Sequence, residues 1–490
     1  MSAIQRNILT VLKPTIKLDE LKIPDIESGT DNAKDGSIKE PLSKFSNLIP
    51  LIRINEYDVQ GDRLESFILD CTGFYPVCRF VFSDRDGLFT ARHYPTDGDI
   101  IQLYIRSAGE ETTFKPIRID FTVINITPMG GGYATPGPSK LMIDGRMKVP
   151  NLFTEKVEYE DNTSWNALLN IAERLGLGFA SNVEDTADKQ IWTNPYDTSE
   201  KFIKDIVANS YLDDDSFFTS YIDPYYNLTV VEVNRLFDQD PELEASLQFQ
   251  INAGDNMGAE GSGTSETEMP NFITNNFQFQ GTARYVSLYQ QINNSGEISK
   301  NNGYKRYTQY WDLEAKEFVS EFIDPLTTNT PGMIPATRGR VLADGEVEGP
   351  VKEQVKYKYL GTQGDNVHPN FSYSAILNFQ NLAEMNKFGM TVELDTFNPA
   401  IWKYSRIYCM FLEYGDSTKR VLTAPSNEET PPGTQRRETE DGNDPLSPNG
   451  VLNEYLSGFY VVTGIDYFLT QPGALKQRLH LRRREVVPTT

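Results

Sequence analysis

The chain has 490 residues, enough for two to four domains and more than one buried core. It carries 69 acidic and 46 basic side chains, a formal charge of −23. That balance excludes phosphate-driven nucleic-acid binding, which needs Lys and Arg to displace counterions, and argues against an anionic membrane surface as partner.

Hydrophobic residues make up 39% and aromatics 11%, which fits a folded chain. The 25 Tyr and 27 Phe, in a chain with few long helical patterns, suggest strands and subunit surfaces. Three cysteines, Cys71, Cys78 and Cys409, are too few and too odd in number for a disulfide framework, and point to a reducing compartment. Cys71 and Cys78 stand too far apart for a CxxC motif, and Cys409 lies in an apolar run, as a core residue does. No apolar run reaches the length of a membrane span. Met1 to Lys17 lacks a signal-peptide core, so the chain is expected to stay in the cytoplasm until assembly or lysis.

Residues 1–48 are polar and interrupted by Pro14, Pro24 and Pro41, which predicts an extended arm or a flexible tail. From Leu51 the period becomes two. Ile52 and Ile54 alternate with polar residues, and Val77 to Phe82 is a short apolar run. Ile101, Leu103 and Ile105 then alternate with Gln102 and Tyr104, and Ile117, Ile119, Phe121 and Val123 with Arg118, Asp120 and Thr122. These read as half-buried antiparallel strands with turns at Asp84-Arg-Asp-Gly and Asp97-Gly, together a compact barrel or sandwich.

Met129 to Pro138 reads as a Gly/Pro-rich hinge. Gly130-Gly131-Gly132 is not a phosphate loop, since no Lys-Ser/Thr follows. A helix is predicted on Trp165, Leu168, Leu169, Ala172 and Leu175, capped by Asn162 or Thr163 and stopped by Gly176. A second carries Phe202, Ile203, Ile206 and Val207, with Asp197 and Glu200 at capping-box spacing. Leu228 to Val233 returns to strand. Residues 238–270 read as an acidic linker, and Phe272, Phe277 and Phe279 open a strand-rich region running to Tyr359. A third helix is expected from about Ser374 to Lys387, on Leu377, Leu382 and Met385, with Gly389 as its stop. Val392, Leu394 and Ile407 to Leu412 resume strands, 424–450 is a surface loop, and Phe459 to Ile465 and Leu479 to Leu481 close the chain. The stretches 94–105 and 398–411 echo each other, each placing a Pro-containing turn before an apolar strand.

Chemistry-bearing patterns are scarce. His93, His368 and His480 lie far apart and have no metal-ligand spacing, so each reads as a surface or hydrogen-bonded residue. Asp213-Asp214-Asp215 lacks the alternating ligands of a calcium loop and reads as a solvated loop. With 69 acidic residues, any candidate glycosidase pair carries almost no information. No GxSxG, Ser-x-x-Lys or P-loop is present. No residue is nominated as catalytic, cofactor-binding or metal-ligating, and no cofactor is implied.

The order of patterns is more informative than any one of them. Ile52-Arg-Ile-Asn-Glu-Tyr-Asp-Val, Arg63 to Leu69, Tyr94-Pro-Thr-Asp-Gly-Asp and Pro116 to Ile126 come first. Thr163-Ser-Trp, Ile191-Trp-Thr-Asn-Pro-Tyr-Asp and the hairpin Phe217 to Val233 follow, and Gly458 to Ile465 and Gln477 to Glu485 end the series. In this order the chain resembles the baseplate central hub proteins of contractile-tailed phages. More distantly it is similar to the late-control D proteins and to the N-terminal half of type VI secretion spike proteins. The resemblance covers about 51–236 and about 370–487.

The resemblance implies a mostly β, α+β fold: two tail-tube-like antiparallel β-barrels with an inserted helix-containing α+β domain. The expected division is an arm at 1–48, a first barrel at 49–128, a helix-and-hairpin domain at 129–236, an acidic linker at 237–270, a strand-rich insertion at 271–373, and a helix with the second barrel at 374–490. It further implies a homotrimeric, pseudo-sixfold hub without catalytic activity, located in the virion's tail baseplate. Its partners would be the spike protein, tail tube or tube-initiator proteins, tape measure protein and baseplate wedge proteins. Genomic DNA would pass through the channel without specific binding. In that setting the charge reads either as solubility or as a lumen that DNA slides through. Two alternatives stay open: a cell-wall-degrading tail enzyme (muramidase or peptidase) using 271–360, and a carbohydrate-binding tail adhesin.

Overall fold

The computed structural model describes residues 10–13, 50–105, 117–130, 139–237, 272–294, 305–323, 334–335, 355–364, 367–398, 401–413, 451–453, 455–470 and 475–486. The expected linker at 238–270, the loop at 424–450 and most of the 129–138 hinge and the 1–48 arm lie outside these residues.

β1 (Thr10–Lys13) stands apart at the start. The period-two stretch then gives β2 (Leu51–Ile54), β3 (Tyr57–Val59), β4 (Leu64–Asp70), β5 (Val77–Asp84), β6 (Ile100–Ile105) and β7 (Ile117–Met129), followed by β8 (Ser139–Met147). In β7 the four predicted apolar residues are buried and Arg118, Asp120 and Thr122 are partly exposed. The Asp84 turn is more structured than its sequence suggests. The Asp84 carboxylate accepts the N–H groups of Leu88 (3.0 Å), Phe89 (3.1 Å) and Thr90 (2.7 Å), which nucleates a π-helical turn over Leu88–Arg92. β8 escapes the sequence reading because one of its four inward positions is glycine. A Cβ on Gly145 would lie 2.9 Å from Cys78 Sγ and 2.9 Å from Ile101 Cδ1, so only glycine lets these layers approach.

The middle of the chain forms β9 (Glu155–Asn162), α1 (Ser164–Leu175), β10 (Gly178–Ser181), β11 (Gln190–Thr198), α2 (Ser199–Ala208), β12 (Phe218–Ile222) and β13 (Asn227–Glu232). α1 is capped by Thr163, whose hydroxyl accepts from the Asn166 N–H, and it ends at Gly176 in the left-handed region, φ 65°. α2 corrects the expected capping box. Its cap is Thr198, which accepts from the Lys201 N–H at 3.3 Å, while Asp197 and Glu200 bind Lys201 and Lys204 one turn ahead.

β14 (Phe272–Thr274), β15 (Val286–Asn293), β16 (Lys305–Asp312), β17 (Glu317–Ile323), β18 (Ile334–Pro335) and β19 (Val355–Gln363) precede α3 (Phe371–Met385). β20 (Phe388–Leu394), β21 (Arg406–Met410), β22 (Leu412–Glu413), β23 (Val451–Leu452), β24 (Gly458–Thr470), β25 (Lys476–Arg482) and β26 (Glu485–Val486) complete the chain. α3 starts three residues before the predicted Ser374 and is capped at its end by Asn386. Gly389 is not its stop but an interior residue of β20, where a Cβ would meet the Leu481 carbonyl at 2.8 Å and the Arg482 guanidinium.

The protein is mostly β with a few helices. Thirteen strands join one largely antiparallel sheet, along the path β15-β20-β25-β24-β4-β5-β8-β7-β6-β2-β3, with β14 and β21 attached beside β24. Among the described residues its two ends, β15 and β3, do not meet, so it is an open sheet and not a closed barrel. A four-stranded sheet, β1-β10-β13-β12, carries α1 and α2, while β9 and β11 form a two-stranded ribbon and β17-β16-β19 a small sheet. One apolar core runs from Ile52 and Phe121 through Leu168, Ile203 and Leu228 to Met390, Val462 and Leu479.

Candidate functional site

The feature that organises the molecule is the seam between strands from the two ends of the chain. β24 is long enough to serve both. Its first residues pair with β21 (Arg406↔Val461 to Cys409↔Gly458), and its last pair with β4 (Asp466↔Asp70 to Thr470↔Ser66). β25 follows it on the other edge, from Val461↔Arg482 to Phe468↔Lys476.

Three polar anchors lock the helix-and-hairpin segment against this seam. Tyr226 accepts the Asp120 N–H at 2.9 Å, which fixes the β12–β13 hairpin to β7. Asn378, buried on α3, accepts the Phe218 N–H at 2.8 Å and donates to the carbonyls of Ala208 (3.0 Å) and Ser210 (2.9 Å). It thereby satisfies the C-terminal end of α2. Lys403 donates to the carbonyls of Thr72 (2.8 Å) and Gly73 (2.6 Å), with its ammonium 4.7 Å from the centre of the Tyr221 ring. Tyr221 returns a hydrogen bond to the Lys403 carbonyl at 2.9 Å. Burial lowers the Lys403 pKa to about 8, against the attraction of Cys71 and Asp70.

Arginines brace the far end of the seam. The Arg483 guanidinium donates to the carbonyls of Tyr455 (3.2 Å) and Ser457 (3.1 Å) and to the Tyr460 hydroxyl (3.2 Å). Arg406 stacks over Phe459 at 4.1 Å, and Arg484 donates to Asn234. With Leu236 and Phe237 they line a cavity of about 20 Å³, room for a water and not for a substrate.

The residues singled out in the sequence are not brought together. His93 is exposed and stacks on Tyr57. His368 is buried between Trp192, Tyr211 and Phe371, with Nε2 3.3 Å from the Asn209 carbonyl, and burial lowers its pKa. His480 lies 3.0 Å from an Asp466 carboxylate oxygen. All three cysteines are free and buried. Asp213 and Ser216 close a turn by hydrogen bonds within 213–216. Glu232 is the buried carboxyl that burial pushes up to about 7, and it accepts the backbone N–H groups of Phe217, Asn234 and Arg235. Among the described residues, no group of three or more His, Cys, Asp and Glu is placed to hold a metal, and no helix is long and apolar enough to cross a membrane.

Sequence reasoning missed Lys403 and Asn378. The available signal was a lone polar residue inside an apolar run: Lys403 sits between Ile401-Trp402 and Tyr404, and Asn378 between Ile376-Leu377 and Phe379.

No protein-family model matches the chain, and no curated protein matches it. Solved structures similar to it include a tail protein from Neisseria meningitidis, at 9% identity and TM-score 0.45, covering 89% of this chain and 97% of that one. Another is the 43 kDa tail protein of prophage MuSo2 from Shewanella oneidensis, at 8% identity and TM-score 0.44, covering 91% and 100%. A third is an E. coli component of the type VI secretion system, described as structurally similar to the T4 bacteriophage tail proteins gp27 and gp5, at 7% identity and TM-score 0.35, covering 93% and 76%.

Proposed function

We propose that the chain is a structural virion protein, the central hub of a contractile phage tail baseplate, without catalytic activity. The observation that carries this reading is the seam. One chain holds two strand sets side by side, β2–β8 and the set β14, β15, β20, β21, β24 and β25, joined into one sheet where β24 pairs with β4 and braced by α1, α2 and the β12–β13 hairpin. Each set counts as one tube-like unit, so three chains would supply six. Such a ring joins a sixfold tail tube to a threefold spike, and its acidic charge keeps passing DNA from sticking. The domain division expected from the sequence, and contacts with spike, tube-initiator, tape measure and wedge proteins, belong to the same proposal.

The polar anchors suit this role. They tie side chains to backbone groups distant in sequence, as Lys403 does to Thr72 and Gly73 and Asn378 to Phe218 and Ala208. The test is the mass of the purified full chain by light scattering after size exclusion. A trimer is expected. A persistent monomer that clears bacterial cell-wall suspensions would overturn the reading in favour of a lytic enzyme.

A further inference from the structure

β15 ends the large sheet, hydrogen-bonded to β20 from Val286↔Leu394 to Asn293↔Phe388 and joined to no second strand among the described residues. Its middle is exposed on both faces: Leu288 is 58% exposed, Tyr289 39%, and Ser287, Gln290 and Gln291 are open to solvent. Edge strands of this length usually carry a lysine, proline or inward charge that blocks pairing. β15 carries none; it reads Val-Ser-Leu-Tyr-Gln-Gln-Ile-Asn, and the uncharged run extends from Tyr285 to Gly296.

We propose that the outer edge of β15 is a docking edge for a second copy of this chain, which adds a strand to the sheet there. Strand addition supplies backbone hydrogen bonds along the edge, while Leu288 and Tyr289, on opposite faces, are each covered by the incoming strand's neighbours. Charge selects the occupant. Two copies at −23 each repel, so copies join best where neither presents a charge. A basic partner would gain nothing by choosing an uncharged strand on so acidic a protein. The inference deepens the hub reading by naming one of its subunit contacts, but does not depend on the number of copies.

The test compares the full chain with a Gln290→Lys/Gln291→Lys variant, by sedimentation and by hydrogen exchange of the amides in 286–293. Both glutamines are exposed, so an unchanged far-ultraviolet circular dichroism spectrum serves as the folding control; the melting temperature does not, because dissociation alone lowers it. The expected result is a wild-type assembly with slowed exchange along β15, and a variant that sediments as monomer with at least tenfold faster exchange there. An assembly that survives both lysines overturns the inference and leaves the trimer intact. So does an assembly that dissociates although the wild-type β15 amides were never protected, since the lysines would then act at a side-chain contact. A wild-type dimer with protected β15 supports the docking edge and sinks the trimer. A wild-type monomer at all concentrations sinks both.

Discussion

The hydroxyl of Tyr226 accepts a hydrogen bond from the backbone N–H of Asp120 at 2.9 Å, joining a hairpin to a strand 106 positions earlier. Tyr226 is itself held at φ 62°, a left-handed conformation that a large side chain adopts only under constraint. The strain and the bond belong together, because the turned backbone aims the ring between β7 and the hairpin. Tyr226→Phe keeps the ring and orphans the Asp120 amide. A loss of about 1–2 kcal/mol in urea unfolding is expected. An unchanged midpoint would mean that water replaces the hydroxyl.

Asn378 joins four backbone groups, the Phe218 amide and the carbonyls of Val207, Ala208 and Ser210, and no apolar side chain can replace it. Asn378→Ala leaves the Phe218 amide and the end of α2 without their buried partners. The expected cost is about 3 kcal/mol, well above that of an ordinary surface change. Chemical denaturation of this variant beside Asn386→Ala, the exposed C-cap of the same helix, separates capping of α2 from general weakening of α3.

Lys403 predicts a pH dependence of definite sign. Its pKa is 10.5 when unfolded and about 8 in the fold, so between these values the unfolded chain binds the extra proton. Stability from this group therefore rises with pH across the window, by about 3 kcal/mol in all, and is flat below it, where both states are charged. Buried tyrosines such as Tyr221 act in the opposite sense above pH 10, since burial pushes their ionisation up. The measurement is thus the gap between wild type and Lys403→Met from pH 7 to 10. It should widen in favour of the wild type.

Burial pushes the thiols of Cys71, Cys78 and Cys409 far above their usual range. A disulfide reagent at pH 8 should find no thiol in the native protein and three after denaturation. Rapid labelling of Cys71 alone would show that the Lys403 junction opens, because Lys403 holds the carbonyls of Thr72 and Gly73, the next two residues.

Local pattern made much of this architecture legible. β7 is visible as four alternating apolar residues, and α1 as an apolar stripe between a threonine cap and a glycine stop. The apolar stripe of α2 is equally plain, but its cap lies one residue past Asp197, because Asp197 and Thr198 both suit that position and only geometry selects. Neither end of α3 is marked by its local pattern. Its buried face carries Ser374, Asn378 and Asn381, whose burial is justified by partners such as Asn209 and Ala208 that lie distant in sequence. Gly389 looked like a helix stop because its real reason, the close approach of the Leu481 carbonyl, comes from a strand near the other end of the chain. The seam was invisible for the same cause: strand partners such as Leu69 and Tyr467 leave no mark on each other's local pattern.

β24 runs from the β21 side of the seam to β4 without a break, so a pull along it that separates the two strand sets loads its ladder in shear. The five pairs to β4 then share the force at once instead of peeling apart in turn. Resistance to a sudden axial jolt would come from this ladder, and cutting the chain between Thr463 and Asp466 would leave β25, which pairs with both halves of β24, as the remaining tie between them.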